Sequence, residues 1–412
     1  MTIMDALIRD IRLAIRNLLR NKNRSAVAVL TVAGGVVAFL LAGGFITWLL
    51  QDGREATIHS QLGHAQIVRP GYFERGIAEP YAFLLPAAAE ELDALKRSPG
   101  VVSVTPRLSF SGLVSHGDTT LAFSGEGIEP VGEKPISKRI SLIAGRELDT
   151  DDELEVLLGE GLAASLGVKP GEMVVLLATA ASGSVTALEV TVAGTFATIT
   201  KEYDDYAIRL PIRQARKLMR VDGATSWVVL LDKTEQTSAF VAMASASLGA
   251  NGFQIVTWRE LADFFNKTEA LFSKQVRVMQ IIIGLIIVLT ITNTLTMNLL
   301  ERTTEIGTSL AIGVRTGTVM RQFVIEGILV GLVGGGLGVL FGFLAATAIS
   351  SVGIPMPAAP GMAHGYVARI AFNPSLAGNG LALAMLTTLL ASVLPAWKAG
   401  RMNIVDALRH QR

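Results

Sequence analysis

The sequence predicts a polytopic α-helical membrane protein with four transmembrane helices and a large extracytoplasmic α/β (mixed α+β) domain between helices one and two. The chain has 412 residues, of which 50% are hydrophobic and 17% charged, whereas soluble domains have about 25% charged residues. Apolar runs occupy residues 25–50, 278–300, 323–351 and 377–397. Each is long enough to cross a bilayer core, which takes about 20 residues. Residues 51–277 instead mix strand and helix patterns.

Residues 1–24 have the pattern of an amphipathic helix that lies on the cytoplasmic membrane surface. Apolar residues recur at helical spacing, and arginines form an adjacent stripe. The apolar set is Leu7, Ile8, Ile11, Ile15, Leu18 and Leu19, and the basic set is Arg9, Arg12, Arg16 and Arg20. The alternative is an extension of the first transmembrane helix with a solvated basic face.

Basic residues indicate the direction in which the chain crosses the membrane, because short cytoplasmic loops are enriched in Lys and Arg. They concentrate in residues 1–24, 301–322 and 398–412, whereas the loop at 352–376 contains only Arg369. We therefore expect a multi-pass membrane protein with both termini cytoplasmic. The segment 301–322 is then cytoplasmic, and residues 51–277 and 352–376 are extracytoplasmic.

The α/β domain is predicted to begin with a strand at 64–70 and a helix at 87–100. A β-rich middle follows, with turns at Gly117-Asp118, Lys169-Pro170-Gly171 and Ser182-Gly183, which are residue types typical of turns. Helices are predicted at 212–219 and 235–248, and a last strand at 253–258. From Arg259 the helical pattern continues, and we expect an unbroken helix into the second span.

The sequence contains no convincing catalytic or metal-binding constellation. It has no cysteine, which excludes disulfides and thiolate metal sites, and His64 has no obvious partner. The acidic run at 149–155 lacks the spacing of a calcium loop, so a solvated turn is the favoured interpretation. The stretch GEGL at 159–162 is interpreted as a turn into a helix, and net charge of +1 gives no reason to expect nucleic acid.

Two features stand out within the spans. Gly334, Gly338 and Gly342 fall on one helix face and predict a close helix–helix contact, although glycine is also generally common in membrane helices. Glu326 lies near the start of the third span. An intramembrane carboxylate suggests function, but one so close to the interface can also extend toward water.

The segment between spans two and three, "ERTTEIGTSLAIGVRTGTVMRQFVIE", predicts two short helical pieces. Ile306 and Leu310 share a face of the first piece. Gly313 is expected to end it, since glycine accepts the left-handed conformation of a helix stop, and Thr318 to cap the second piece. The small residues Gly307 and Ala311 would let a partner approach closely.

This segment resembles the cytoplasmic signature of the MacB/FtsX-like permeases of ABC transporters. "LGHAQIVRPGYF" after the first span and "LLGEGLAASLGVKPGE" in the α/β domain are similar to the lipoprotein-releasing (LolC/LolE-type) branch, and the tail "PAWKAGRMNIVDALR" resembles the family's ending. The resemblance implies a coupling helix that docks on an ATPase. It would include Glu301, Arg302, Glu305, Ile306, Gly307, Leu310, Ala311, Gly313 and Arg315. Leu310 departs from the family pattern, which has Arg or Lys there.

The resemblance also implies the partners. These are two cytoplasmic ABC ATPase subunits that bind ATP and magnesium, a second permease copy or a related permease, membrane lipids, and a soluble periplasmic carrier or adaptor. This chain itself is expected to bind no cofactor and to be non-catalytic, because it lacks the Gly-x-x-x-x-Gly-Lys-Ser/Thr phosphate loop.

The resemblance leaves three functions open. The first is extraction or export of a lipoprotein, lipid or other amphipathic substrate, driven by mechanotransmission to the periplasmic domain. The second is MacB-like efflux of peptides or drugs with a periplasmic adaptor. The third is an FtsX-like transmembrane signal to cell-wall hydrolases.

Overall fold

The computed structural model describes residues 3–76, 79–249, 252–358, 362 and 364–401, without the side chains of residues 3–7. The chain divides into two compact units. The membrane unit comprises Met1–Leu50, Glu269–Pro355 and Val367–Arg412, and the α/β unit comprises Gln51–Thr268 and Met356–Tyr366.

The structure has thirteen α-helices within the described residues. In order they are α1 Ile3–Arg20, α2 Lys22–Thr57, α3 Glu90–Lys96, α4 Pro130–Glu133, α5 Glu160–Leu166, α6 Lys201–Asp204, α7 Ile212–Met219, α8 Thr237–Leu248, α9 Trp258–Leu261, α10 Asp263–Glu301, α11 Thr303–Ala311, α12 Thr316–Val352 and α13 Pro374–Gly400. A π-helical turn, Ile58–Leu62, follows α2.

The strands lie mostly in the α/β unit. They are β1 Ala65–Val68, β2 Leu85–Pro86, β3 Val101–His116, β4 Thr119–Ile128, β5 Ser141–Gly145, β6 Glu155–Gly159, β7 Met173–Thr179, β8 Val185–Ala197, β9 Ala207–Pro211, β10 Gly223–Ala224, β11 Ser226–Leu231, β12 Gln254–Thr257, β13 Ile354–Met356 and β14 Tyr366–Ala368.

Within the described residues, four helices are long and apolar enough to cross a membrane: α2, α10, α12 and α13. This confirms the four predicted spans. Their shared core is formed by buried aliphatic and aromatic side chains of α2, which pack against Ile287 and Ile291 of α10 and Ala384 of α13. The α2 residues in this core include Val32, Val36 and Phe39.

The N-terminal helix is shorter than expected. The segment 1–24 was predicted as one helix, but α1 ends at Arg20 and α2 already begins at Lys22. The side of α1 that contains Asp10 and Ala14 is buried, while Ile15 and Leu19 are exposed. Apolar and basic side chains of α1 are thus exposed together. The position of α1 at the membrane interface stays a prediction.

The α/β unit is built on one mixed sheet, which has ten strands within the described residues. Its main path runs β12-β1-β11-β3-β4-β9-β6-β8-β5, and β7 pairs with both β3 and β8. The β3–β4 hairpin turns at Gly117, as predicted, and the β7–β8 hairpin turns at the predicted Ser182-Gly183. One core contains Leu108, Phe110 and Leu158, and a second surrounds the fully buried Trp227.

The predicted continuous helix from Arg259 into the second span is wrong. Thr257 and Glu260 form a capping box at the start of α9, and the short helix stops at Ala262, whose backbone is not helical (φ −89°, ψ 57°). Asn266 Nδ2 donates to the carbonyl of Arg259 at 2.7 Å. This bond satisfies the carbonyl that the break frees, so the break leaves no unpaired acceptor there.

The acidic run at 149–155 forms exposed ion pairs, such as Asp152 Oδ1 with Arg213 Nη1 at 2.7 Å. Among the described residues, no group of three or more His, Asp or Glu side chains could hold a metal ion. The predicted turn at 159–162 is absent, because β6 ends at Gly159 and α5 begins directly at Glu160. In the loop between α12 and α13, residues 359–361 and 363 lie outside the described residues, and His364 Nε2 lies 2.6 Å from Glu160 Oε2.

Candidate functional site

The segment between α10 and α12 folds as a short helix with a well-defined end. Gly313 adopts φ +96° just after α11. Its N–H donates to the carbonyl of Leu310 at 3.1 Å, and the N–H of Val314 donates to the carbonyl of Ser309 at 3.1 Å. This is the Schellman arrangement, in which glycine closes a helix. The predicted helix stop at Gly313 therefore has the expected geometry.

The second half of the segment differs from expectation. Thr318 was predicted to cap the helix that leads into the third span, but α12 already begins at Thr316 and Arg315 occupies the cap position. No side chain caps this end. The N–H of Thr318 donates to the carbonyl of Arg315 at 2.9 Å, so a backbone carbonyl satisfies this donor in the first turn of α12.

One face of α11 is buried within the membrane unit. Ile306 and Leu310 pack into a cluster with residues from α10, α12 and α13, which are Leu299, Val319, Phe323, Ala396 and Ala399. Leu310 stands where the family pattern has a basic residue. Here the position faces an apolar cluster, where an unpaired cation would be costly. Gly307 is also buried, so it does not form the open surface that its small size suggested.

The C-terminal end of the segment is exposed. Ala311, Gly313 and Arg315 are among its exposed residues. Two apolar residues accompany them: Ile312 is 79% exposed and Val314 is also exposed. Sequence reasoning missed both. Two aliphatic side chains beside the helix-ending glycine were the available signal, since such residues are normally buried.

Beneath α11 lies a buried carboxylate, Glu326 of α12, which is 1% exposed. Its Oε1 accepts hydrogen bonds from Arg302 Nη1 at 3.0 Å and from Asn17 Nδ2 at 2.8 Å. The Arg302 guanidinium also lies over the Phe323 ring, 5.9 Å from its centroid. Burial excludes an extension of Glu326 toward water, and the pair compensates the cost of burying each charge.

Arg302 occupies a key position because it is the single residue between α10 and α11. Its side chain therefore ties this helix junction to α12, and Asn17 ties α1 to the same carboxylate. Asn17 is separated from Glu326 by 309 positions in sequence. Sequence reasoning could not find Asn17, because a lone asparagine in an amphipathic helix carries no local signal.

Exposed ion pairs surround this buried centre. Arg20 Nη2 lies 3.1 Å from Glu305 Oε2, and Arg302 Nε lies 3.6 Å from the same oxygen. The hydrogen bond from Arg20 holds the pKa of Glu305 below its ordinary value. Arg24 pairs with Glu301. Such exposed pairs contribute little stability, so the buried Glu326 contacts dominate the attachment.

A further ion pair joins α1 to α12, between the buried Asp10 and Arg321. Together with the Asn17–Glu326 and Arg20–Glu305 contacts, it fixes α1 at three points spaced along its length. The arrangement offers no catalytic chemistry. It joins α1, α11 and the third span through hydrogen bonds and ion pairs.

The third span also carries glycine on two faces. The predicted set lies against α2: a Cβ added at Gly334, Gly338 or Gly342 would come within 2.6 to 2.8 Å of Val32, Val36 or Leu40, respectively. A second set was missed, although it has the same spacing of four. Added Cβ atoms there would collide with α13, at Gly327 with Ser392, at Gly331 with Thr388 and at Gly335 with Leu381.

Two family profiles match the chain. The MacB-like periplasmic core domain matches residues 25–246, and the FtsX-like permease C-terminal region matches residues 277–404. The four apolar helices and this match indicate a multi-pass protein of the bacterial inner membrane.

Individual relatives agree with this match. The macrolide export ATP-binding/permease protein MacB of Hyphomonas neptunium is 26% identical over 433 residues, which cover 97% of this chain and 60% of that protein. The lipoprotein-releasing system transmembrane protein LolC of Xylella fastidiosa is 25% identical over 334 residues, covering 76% of this chain and 79% of that protein. The chain thus spans 60% of the length of the MacB relative. The periplasmic region of MacB from Actinobacillus actinomycetemcomitans is 16% identical with a TM-score of 0.36, covering 50% of this chain and 93% of that one.

Proposed function

Because the chain belongs to the family of FtsX-like permeases with a MacB-like periplasmic core domain, we propose that it is the membrane subunit of an ABC transporter. In this proposal α11 faces the cytoplasm and receives ATP-driven movement from two ATPase subunits, which bind ATP and magnesium. The α/β domain faces the periplasm. The permease works as a dimer, with a second copy of this chain or with a related permease.

The buried Arg302–Glu326 pair is the observation that carries this proposal. A docking helix that moved independently of the membrane helices could not transmit a partner's movement to them. Here the residue that precedes α11 bonds to a carboxylate inside the third span, and Asn17 bonds to the same oxygen. Because separating this pair would leave a buried charge unpaired, at a cost of about 3–5 kcal/mol, α11 and α12 move together.

The exposed end of α11 supplies the contact for the ATPase. Ile312 and Val314 form an apolar projection beside Arg315. Apolar residues at the centre and charged residues at the rim are typical of protein–protein interfaces. The contact predicted for this surface therefore depends more on Ile312 than on the buried Leu310.

The composition of the four spans favours a protein that transmits movement over one that forms a polar channel. Glu326 is the one charged residue within the four predicted spans, residues 25–50, 278–300, 323–351 and 377–397. Its carboxylate is occupied by Arg302 and Asn17. Proton or ion pathways through membranes use chains of ionisable residues, so the transported molecule is expected to move along the periplasmic side, driven by the α/β domain.

The cargo is proposed to be amphipathic, such as a lipoprotein or lipid that leaves the outer leaflet for a soluble periplasmic carrier. Export of peptides or drugs through a periplasmic adaptor is the second candidate. It is favoured by the alignment of the Hyphomonas MacB over 97% of this chain. The lipoprotein reading is favoured by the LolC relative, which this chain covers over 79% of its length.

The test is purification of the tagged full chain in mild detergent, with identification and quantification of its companions. We expect an ABC ATPase in equal amount. Ile312→Asp should reduce the recovered ATPase at least about tenfold, since a charge buried in an apolar interface is costly. Val352→Asp is the matched control, because Val352 is 86% exposed at the far end of α12. Wild-type protein that recovers no ATPase would contradict the proposal.

A further inference from the structure

The end of the first long helix is irregular inside the α/β unit. After α2 ends at Thr57, the chain forms the π-helical turn Ile58–Leu62, in which His59 leaves helical geometry (φ −91°, ψ 17°). The last carbonyls of a helix have no partners within the helix. In this turn the carbonyls of Ser60 and Gln61 face the interior of the unit, so they need donors from elsewhere.

Two buried arginines supply these donors. Arg209 of β9 donates from Nη2 to the carbonyl of Ser60 at 2.8 Å, and Arg107 of β3 donates from Nη1 to the carbonyl of Gln61. They are 2% and 3% exposed, respectively. Arginines this deeply buried are rare unless their charge is paired.

Two carboxylates neutralise the positive charges of Arg107 and Arg209. Glu133 of α4 binds Arg107 and lies 3.9 Å from Arg209 Nη1, and Glu126 of β4 lies 3.3 Å from Arg209 Nη2 and 3.6 Å from Arg107 Nη1. Because β4 lies between β3 and β9 in the sheet, Glu126 reaches both arginines. The two positive and two negative groups balance. Burial alone would lower the pKa of Arg107, but Glu133 and Glu126 outweigh it and raise that pKa.

Further hydrogen bonds hold the same end of α2 and the turn that follows it. The N–H of Arg139 donates to the carbonyl of His59 at 3.0 Å, and Arg139 Nη2 lies 2.8 Å from Asp52 Oδ1 on α2. On another side, Thr234 donates to Glu55 of α2 at 3.1 Å and contacts His64 Nε2 at 3.0 Å. Other parts of the α/β unit therefore hold the end of α2 and the following turn at several points, with the paired arginines at the centre.

We propose that Arg107 and Arg209 are positioning residues that clamp the end of α2 to the sheet, so that movement of the first span reaches the α/β domain instead of being absorbed by the irregular turn. The proposal rests on the transporter function proposed above. Arginine suits this task because its planar fork binds a carboxylate and a carbonyl at the same time. Lysine carries the same charge but cannot make this set of contacts.

The experiment compares Arg107→Lys and Arg209→Lys in the full chain with its companion ATPase. Hydrogen exchange by mass spectrometry follows residues 58–64, and residues 101–116 report whether the sheet remains folded. We expect exchange at 58–64 to rise about tenfold or more, because each variant loses a charge-assisted bond. Substrate moved per ATP hydrolysed should fall. Arg213→Lys is the matched control, since Arg213 forms an exposed pair with Asp152.

The outcomes separate the clamp from the transporter function. Unchanged exchange at 58–64 would overturn the clamp. Faster exchange with unchanged transport per ATP would show that the clamp transmits nothing and would leave the transporter function intact. If the wild-type protein recovers no ATPase, the transporter function fails and the transmission role fails with it, while exchange at 58–64 still tests the clamp. Should the lysine variants unfold, Ser137→Ala removes one neutral partner of Arg209 and should raise exchange at 58–64 by a smaller factor; no rise would overturn the clamp.

Discussion

Arg302, the residue that joins α10 to α11, donates a 3.0 Å hydrogen bond to Glu326, a carboxylate buried in the third span. This contact connects the exposed segment between two membrane helices to the interior of the bundle. Because both groups are charged and desolvated, each depends on the other.

Replacing one member of this pair should therefore be costly. We expect Glu326→Gln to destabilise the membrane unit by about 3–5 kcal/mol, because Arg302 loses its buried counter-charge. Arg302→Gln/Glu326→Gln should cost less than the sum of the single changes. Unfolding in detergent, followed by a double-mutant cycle, measures both. The control Arg20→Gln breaks the exposed pair with Glu305 and should cost less than about 1 kcal/mol; equal losses from both pairs would contradict this account.

Replacing glycine by alanine should have opposite effects on stability at Gly313 and at Gly317. A Cβ at either position meets no atom within 4 Å, so sterics do not distinguish them. Gly313 has φ +96°, where a side chain costs about 1–2 kcal/mol, whereas Gly317 lies in α12, where alanine is favoured by about 0.5 kcal/mol. Gly313→Ala should speed hydrogen exchange at 308–316 and weaken ATPase coupling. Gly317→Ala should do neither, and identical behaviour of the two would refute the role of the αL helix end.

The glycine face of the third span gives a packing prediction. Gly338→Ala places a Cβ 2.6 Å from Val36 Cβ and 2.9 Å from the carbonyl of Ala33, so α2 must move away. We expect a loss of about 1–3 kcal/mol, the usual cost of overpacking. Gly336→Ala meets no atom within 4 Å and serves as the control. Thermal unfolding in detergent distinguishes the two, and an unchanged melting point for Gly338→Ala would argue against a close α2–α12 contact.

His64 predicts a pH dependence of the α/β unit. Its Nδ1 accepts the N–H of Leu231 at 3.0 Å, which requires the neutral ring. Burial, followed by repulsion from His59, lowers its pKa to about 4, while an unfolded histidine has a pKa near 6.5. The folded unit therefore binds fewer protons than the unfolded chain between these values. The contribution of His64 to the free energy of unfolding is complete above pH 6.5. It is lost as the pH falls toward 4, by up to roughly 3 kcal/mol.

The measurement is thermal unfolding between pH 7 and 4, with His64→Gln compared to wild type. Glutamine can still accept from Leu231 but does not titrate, so the variant should lose less stability over this range. His116→Gln, at a partly exposed position, is the matched control. If the stability of His64→Gln fell with decreasing pH as steeply as that of the wild type, groups other than His64 would be the cause of the acid sensitivity.

The sequence could predict what depends on local pattern. Four apolar runs became the four candidate spans, glycine-containing turns formed the predicted hairpins, and Gly313 ended its helix. Boundaries that depend on competing local bonds were less predictable. At the helix break the Asn266 side chain bonds to the carbonyl of Arg259, and the cap position of α12 is Arg315 instead of the predicted Thr318.

Contacts between distant residues were invisible to this reasoning. Arg107, Glu126, Glu133 and Arg209 look like ordinary surface charges in the sequence, and only the strand order brings them together. His64 was judged to have no partner, although it accepts the N–H of Leu231, 167 positions away. Asn17 meets Glu326 for the same reason, through packing that no periodicity encodes.

The glycines on both faces of α12 have a consequence for how the bundle responds to force. Where a glycine of α12 packs against side chains of a neighbouring helix, the attraction includes dispersion between closely spaced atoms, and a gap of 0.5–1 Å already forfeits about a quarter to a half of it. A helix packed in this way on two sides loses much of its attraction to α2 or α13 over a separation of less than 1 Å. We therefore expect the bundle to resist separation of these helices mainly at short range.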